Sequence, residues 1–197
     1  MKSLVITVIL ALLLITLSSC KKSNPVGSSS GEQPWPLHVG NTWVYRWTEF
    51  DTNEVALRTG YDTTIVTRDT IIAGNTWYQG VPASTSLLRN ASDGVWMMSA
   101  GHPILVWKYP ATVGESYTFV WAGTTYQCWV QATDTSLTVP EGTHTCHEYR
   151  SYSYSQVQEV DYLSPGTGPV VEEFYDQSNS GRPFCSERLE LVSVSLE

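Results

Sequence analysis

The sequence is poor in positive charge: 11 Lys and Arg stand against 19 Asp and Glu. The imbalance sharpens between residues 35 and 197, where eight basic residues face eighteen acidic ones and nowhere gather into a patch. Phosphate backbones require such a patch, which excludes nucleic acid as a partner. Anionic headgroups favour one too, so charge does not hold this chain to a membrane. Histidine and cysteine are scarce, four of each, too few and too scattered for an obvious four-ligand metal site. Long apolar runs are missing as well. The longest, Leu4 to Leu17, reaches about 21 Å as a helix, and a bilayer core needs about 20 residues. Finally, no stretch after Trp35 repeats its apolar residues with a helical period, which excludes a helical domain.

What is present begins at the N-terminus. Lys2, the apolar run and the small residues before Cys20 have the layout of a secretory signal peptide. The ending Leu17-Ser18-Ser19-Cys20 resembles the lipobox of bacterial lipoproteins. That resemblance implies acylation of the Cys20 thiol, cleavage before Cys20 and acylation of the new amino terminus. Two or more chains make a stable anchor where one is marginal. No Asp follows Cys20, only Lys21 and Lys22; within the resemblance this implies the outer membrane. The expected partner is therefore the membrane, reached through acyl chains, and the expected location is the cell envelope.

Three segments follow. Residues 1–19 are the signal peptide. Residues 20–34 are the acylated Cys20 and a Ser-, Gly- and Pro-rich tether with almost nothing to bury, spanning roughly 20 Å. Residues 35–197 are one domain's worth of chain. Its Val, Thr, Tyr, Trp and Ile are punctuated by Gly, Asn, Asp and Pro, the chemistry of strands and turns. The alternation in Thr42 to Phe50 puts Trp43, Tyr45 and Trp47 on one face. Val55 to Gly60 and Tyr61 to Ile72 read as two successive strands. From Tyr117 onward the chain reads as a regular meander. The expected fold is all-β: an antiparallel meander forming a strongly curved sheet, half-barrel or barrel.

Several phrases carry a second resemblance: residues 36–45 (PLHVGNTWVY), 109–117 (YPATVGESY), 139–143 (VPEGT), 161–170 (DYLSPGTGPV) and the closing Leu189-Glu190-Leu191. Together they resemble uncharacterised exported and lipid-anchored bacterial proteins with an antiparallel, curved sheet. A further similarity is to the half-barrel lipoprotein carriers, which hold acyl chains in a curved sheet and usually lay helices across its concave face. No segment here has a helical pattern.

Export implies an oxidising compartment, so Cys128, Cys146 and Cys185 are possible disulfide members. If Val139 pairs with Thr143, Cys146 falls opposite Ser136 and Cys128 opposite Tyr154. That register does not bring Cys128 and Cys146 together, which favours a bond involving Cys185.

The chemical constellations are weak. Gly27-Ser28-Ser29-Ser30-Gly31 fits the G-x-S-x-G pattern but lies in the tether, with no strand before it to form the elbow. His144, Cys146, His147 and Glu148 are the densest cluster of ligand types, yet a strand puts His144 and Cys146 on one face and His147 on the other. No metal and no cofactor is expected. Glu172 and Glu173 point to opposite faces and cannot flank one bond; with Asp161 they read as charged edge positions. The aromatics are the unusual feature: eight Trp and eleven Tyr against four Phe. Trp43, Trp47, Trp77, Trp107 and Trp129 are candidates for a ligand-binding surface as well as for core. The expectation is a non-catalytic binding or structural domain whose partner is a protein, glycan or lipid. The alternatives are a carrier of a hydrophobic or lipid ligand and a carbohydrate-binding surface.

Overall fold

The computed structural model describes residues 33–81 and 86–197. The signal peptide, Cys20, the Gly27–Gly31 pattern and most of the tether lie outside these residues. Gln33 and Pro34, placed in the tether by composition, belong to the folded part: Pro34 is buried and the Gly166 N–H donates to the Gln33 carbonyl at 2.8 Å.

The described residues form twelve strands: β1 Thr42–Phe50, β2 Ala56–Ile72, β3 Asn75–Val81, β4 Leu87–Ala91, β5 Gly94–Ser99, β6 His102–Lys108, β7 Ser116–Trp121, β8 Thr124–Val139, β9 Gly142–Ser153, β10 Gln156–Ser164, β11 Gly168–Gln177 and β12 Pro183–Ser195. Every pairing is antiparallel, and the spatial order is β6-β5-β4-β3-β2-β1-β12-β11-β10-β9-β8-β7. The sheet curls into a nearly closed barrel, as the alternation and turn chemistry lead one to expect. Tight turns make this possible. Ala73 and Gly74 both take positive φ (50° and 77°), the backbone that matches the twist of a two-residue hairpin.

Closure is made in two ways. The first and last strands join by a backbone ladder, with Trp43 opposite Val194 and Trp47 opposite Leu189. Between β6 and β7, tyrosine hydroxyls reach carbonyls of β6. Tyr117 donates to Val106 O and Tyr149 to Lys108 O, each at 2.6 Å. Lys108 also pairs with Glu115 at 3.0 Å. Side chains thus satisfy edge carbonyls that no strand pairs, which is how a sheet edge avoids a desolvation cost.

The core fills the interior. Trp43, Tyr149, Leu163, Val170 and Leu191 are fully buried, and the N-terminal Trp35 and Leu37 join them. Asn41, 2% exposed, ties the ends of the domain together. Its amide donates to Pro36 O at 2.6 Å, and its carbonyl accepts from the Glu197 N–H at 2.7 Å.

Three expectations change. Residues 56–72 are one strand, not two. Gly60 is no break: it pairs with Trp47, and a Cβ there would lie 2.4 Å from the indole. Its role is to make room for a ring. The β8–β9 register also differs, with Cys146 opposite Thr135 and Cys128 opposite Ser151. The turn pairs Val139 with Gly142, and irregularities at Val130/Ala132 and Ala132/Thr135 displace the ladder further. Lastly, Cys128, Cys146 and Cys185 are buried free thiols rather than disulfide members.

Candidate functional site

A cavity of about 630 Å³ occupies part of the barrel interior. Its wall is built from residues of many strands: Leu88 of β4, Met97 of β5, Val106 and Trp107 of β6, Phe119 and Trp121 of β7, Tyr126 of β8, Ser151 of β9 and Phe174 of β11, with Trp35 from the entering segment. Strand periodicity delivers this convergence, because every second side chain of a barrel strand points inward. Trp121, 37% exposed, brings the wall to the surface.

Set among these aromatics are carboxyls. Glu159 and Asp161 lie two apart on β10, so they share a face. Asp161 is directly opposite Glu172 of β11, and Glu159 is opposite Phe174. All three carboxyls line the cavity, and Asp176 lines it too. Asp161 is 5% exposed. Its Oδ2 accepts from Trp107 Nε1 at 3.0 Å, while its Oδ1 is buried with no hydrogen-bond partner. Removal from water disfavours the charged forms. Burial, then the Asp161 and Glu172 charges, hold the Glu159 carboxyl well above its usual range. Burial pushes Asp161 up to about 6, with hydrogen bonds from Trp107 and from the Glu159 carboxyl working against it. Burial, then the Asp161 and Glu187 charges, push Glu172 up to about 8.

These positions correct the reading of Asp161, Glu172 and Glu173 as edge charges. β10 and β11 lie inside the sheet order, and Asp161 and Glu172 face the lumen. Glu173 points the other way, as the alternation requires, and is held by Arg188 and by the Tyr175 hydroxyl. The signal was present in the sequence as Glu159 and Asp161 at a spacing of two, but strand order was needed to place Glu172 beside them.

The five tryptophans singled out by sequence do not form one surface. Trp107 lines the cavity. Trp43 is fully buried, packs edge-on against Trp35 at 5.6 Å, and donates to Thr167 O at 2.7 Å. Trp47 covers Gly60, with the Arg58 guanidinium 5.8 Å from its ring. Trp77 lies under Arg89, which also covers Trp96. Trp129 is 37% exposed and pairs with Ser116. It therefore lies on the face opposite Cys128, away from the core. Trp35 was not among the five. It packs against Trp43 and Trp107, each at 5.6 Å, and rests on Gly168, where a Cβ would lie 2.5 Å from its ring.

The other candidates have structural roles. Burial pushes the Cys128 and Cys146 thiols up to about 12 and Cys185 up to about 11, so all three are protonated and poor nucleophiles at neutral pH. His144 pairs with Glu141, and His147 packs at a tilt against Tyr109 and stacks on Tyr149. Among the described residues no three His, Cys, Asp or Glu side chains are placed to hold a metal ion.

No protein-family model and no curated protein matches the chain. Among solved structures, it is similar to the crystal structure of a "putative lipoprotein" from Parabacteroides distasonis, at 10% identity and a TM-score of 0.39, over 85% of this chain and 100% of that one.

Proposed function

We propose that this protein is an envelope-anchored lipoprotein whose barrel binds a small molecule in its lumen without transforming it. The observation that carries the reading is the cavity. Its volume of about 630 Å³ falls within the range of small-molecule sites, about 300–1,000 Å³, and its wall has the expected chemistry, mostly aromatic and apolar with a few polar groups. The anchor is the acylated Cys20 at the outer membrane, supported by the Leu17-Ser18-Ser19-Cys20 sequence after an apolar run. The barrel then takes the place of the helix-covered half-barrel of the lipoprotein carriers. A shared sugar-binding platform is not favoured, because the five tryptophans lie on different faces.

The test is mass spectrometry of the protein purified under native conditions from its own envelope. A bound small molecule is expected, and the Leu88→Trp variant, which fills the lumen, should lose it while keeping the wild-type circular dichroism spectrum. A wild-type protein that carries nothing beyond what Leu88→Trp carries would sink the binding role. For the anchor, Cys20→Ala should leave the membrane fraction and lose the mass of the acyl chains.

One observation favours a second reading. Asp161 and Glu172 are opposed in a cavity with raised and separated carboxyl pKa values, the arrangement of an acid–base pair. Binding is preferred because the two carboxyls stand side by side on adjacent strands rather than on either side of the space a scissile bond would occupy. Turnover of aryl glycosides that Glu172→Gln abolishes would replace binding with hydrolysis.

A further inference from the structure

We infer that the lumen takes a protonated primary or secondary amine carried on an apolar body. The inference rests on the binding role proposed above and names the class of ligand.

Charge pairing separates this wall from the rest of the barrel. Three carboxylates elsewhere on the sheet have cations. Glu173 is held by Arg188, Glu148 by Arg150 and Glu190 by Arg46. In the lumen, Glu159, Asp161 and Glu172 stand together, and among the described residues no Lys, Arg or His lines the cavity with them. Buried carboxylates are retained where something compensates them, by pairing or by hydrogen bonding. Here the protein supplies only part of that compensation: Asp161 is hydrogen-bonded by Trp107 and by the neighbouring Glu159 carboxyl, and no cation stands beside them among the described residues.

The second observation is independent of charge. Asp161 lies at the cavity wall, 5% exposed, and beyond the Glu159 carboxyl beside it no group among the described residues donates to its Oδ1. Buried acceptors are nearly always satisfied, and an orphan in a cavity marks where a donor is missing. The missing group must therefore donate a hydrogen bond and tolerate three neighbouring carboxyls. An ammonium with N–H bonds does both; a quaternary ammonium lacks the donor and a carboxylate or phosphate is repelled. A metal ion is disfavoured by the absence of a three-ligand set among the described residues. The rest of the wall fits an organic body. Trp35, Trp107 and Phe119 present aromatic surface beside the carboxyls, and ring faces attract a desolvated cation while burying the apolar part.

The experiment uses the full chain and three probes of one shape: 2-phenylethylamine, 2-phenylethanol and 3-phenylpropanoate, positive, neutral and negative at pH 7. Calorimetric titration should show the amine binding at least tenfold tighter than the alcohol, with no binding of the propanoate. Asp161→Asn and Glu172→Gln should each weaken the amine about tenfold and leave the alcohol within twofold, which shows the lumen intact. Equal binding of alcohol and amine, tighter binding of the propanoate, or unchanged amine affinity in both variants would overturn the inference while leaving the binding role in place. Failure of the amine to bind would overturn it too. The binding role itself stands or falls on the molecule carried from the native envelope.

Discussion

Around Trp43 the polar atoms are met by backbone carbonyls: Trp43 Nε1 by Thr167 O at 2.7 Å and Tyr45 OH by Pro169 O at 3.0 Å. Around Asp161, across the same interior, a carboxylate oxygen has no partner and two further carboxyls crowd beside it. Trp35 packs against Trp43 and lines the cavity with Asp161, and its own indole N–H is buried without a partner. Both regions are aromatic and interior, so hydrophobicity does not tell them apart. Satisfaction of polar groups does. A packed region with every donor matched contributes to stability, and a roomy region with unmatched groups of one sign is built at a cost to it. Proteins keep such strained polar sites where they bind or react.

The contrast can be broken by mutation. The largest effect is expected at the satisfied end. Trp43→Ala removes a fully buried ring and should cost about 4 kcal/mol, a large share of a domain's 5–15 kcal/mol. Urea denaturation should show most of the cooperative transition lost. A smaller loss is expected from Gly168→Ala. The new Cβ meets the Trp35 ring at 2.5 Å, and φ is +101°. The strain should cost about 2 kcal/mol, lowering the melting temperature and shifting tryptophan emission to the red as Trp35 is displaced.

The acidic wall should respond in the opposite direction. Its carboxyls have folded-state pKa values raised above their unfolded values, so the folded state holds the extra protons. Their contribution to stability is complete below about pH 4 and is lost as pH rises through about 6 for Asp161 and about 8 for Glu172. Glu172→Gln removes one titration. It should therefore stabilise the domain at pH 9 and change little at pH 4. Equal stabilisation at both pH values in denaturant titrations would separate Glu172 from this linkage. The smallest effect belongs to the outer face: Trp129→Ala, at a side chain 37% exposed, should cost about 1 kcal/mol. Ligand binding in the lumen should be unchanged, and a weakened lumen would show that the two faces are coupled.

Much of the barrel was legible in the residues. The alternation of Trp43, Tyr45 and Trp47 identifies β1, and Ala73-Gly74 marks the turn from β2 to β3. The site was less so. Glu172 and Glu173 read as edge charges, although a meander already sets β11 between β10 and β12, inside the sheet. The cysteine register failed for another reason. Irregularities in β8 and β9 move Cys128 from Tyr154 to Ser151, and a bulge leaves little trace in a Thr-rich strand.

Sequence alone determined the strand pattern, the acidity and the anchor motif, because alternation, turn residues and charge are properties of short stretches. Tertiary structure decided which carboxyls meet, which tryptophans are core and where space remains. Those depend on closure: only when the last strand pairs with the first do alternate side chains from distant segments share one interior. Asp161 and Glu172 were visible from the start, and the curled sheet turned them into the wall of a cavity.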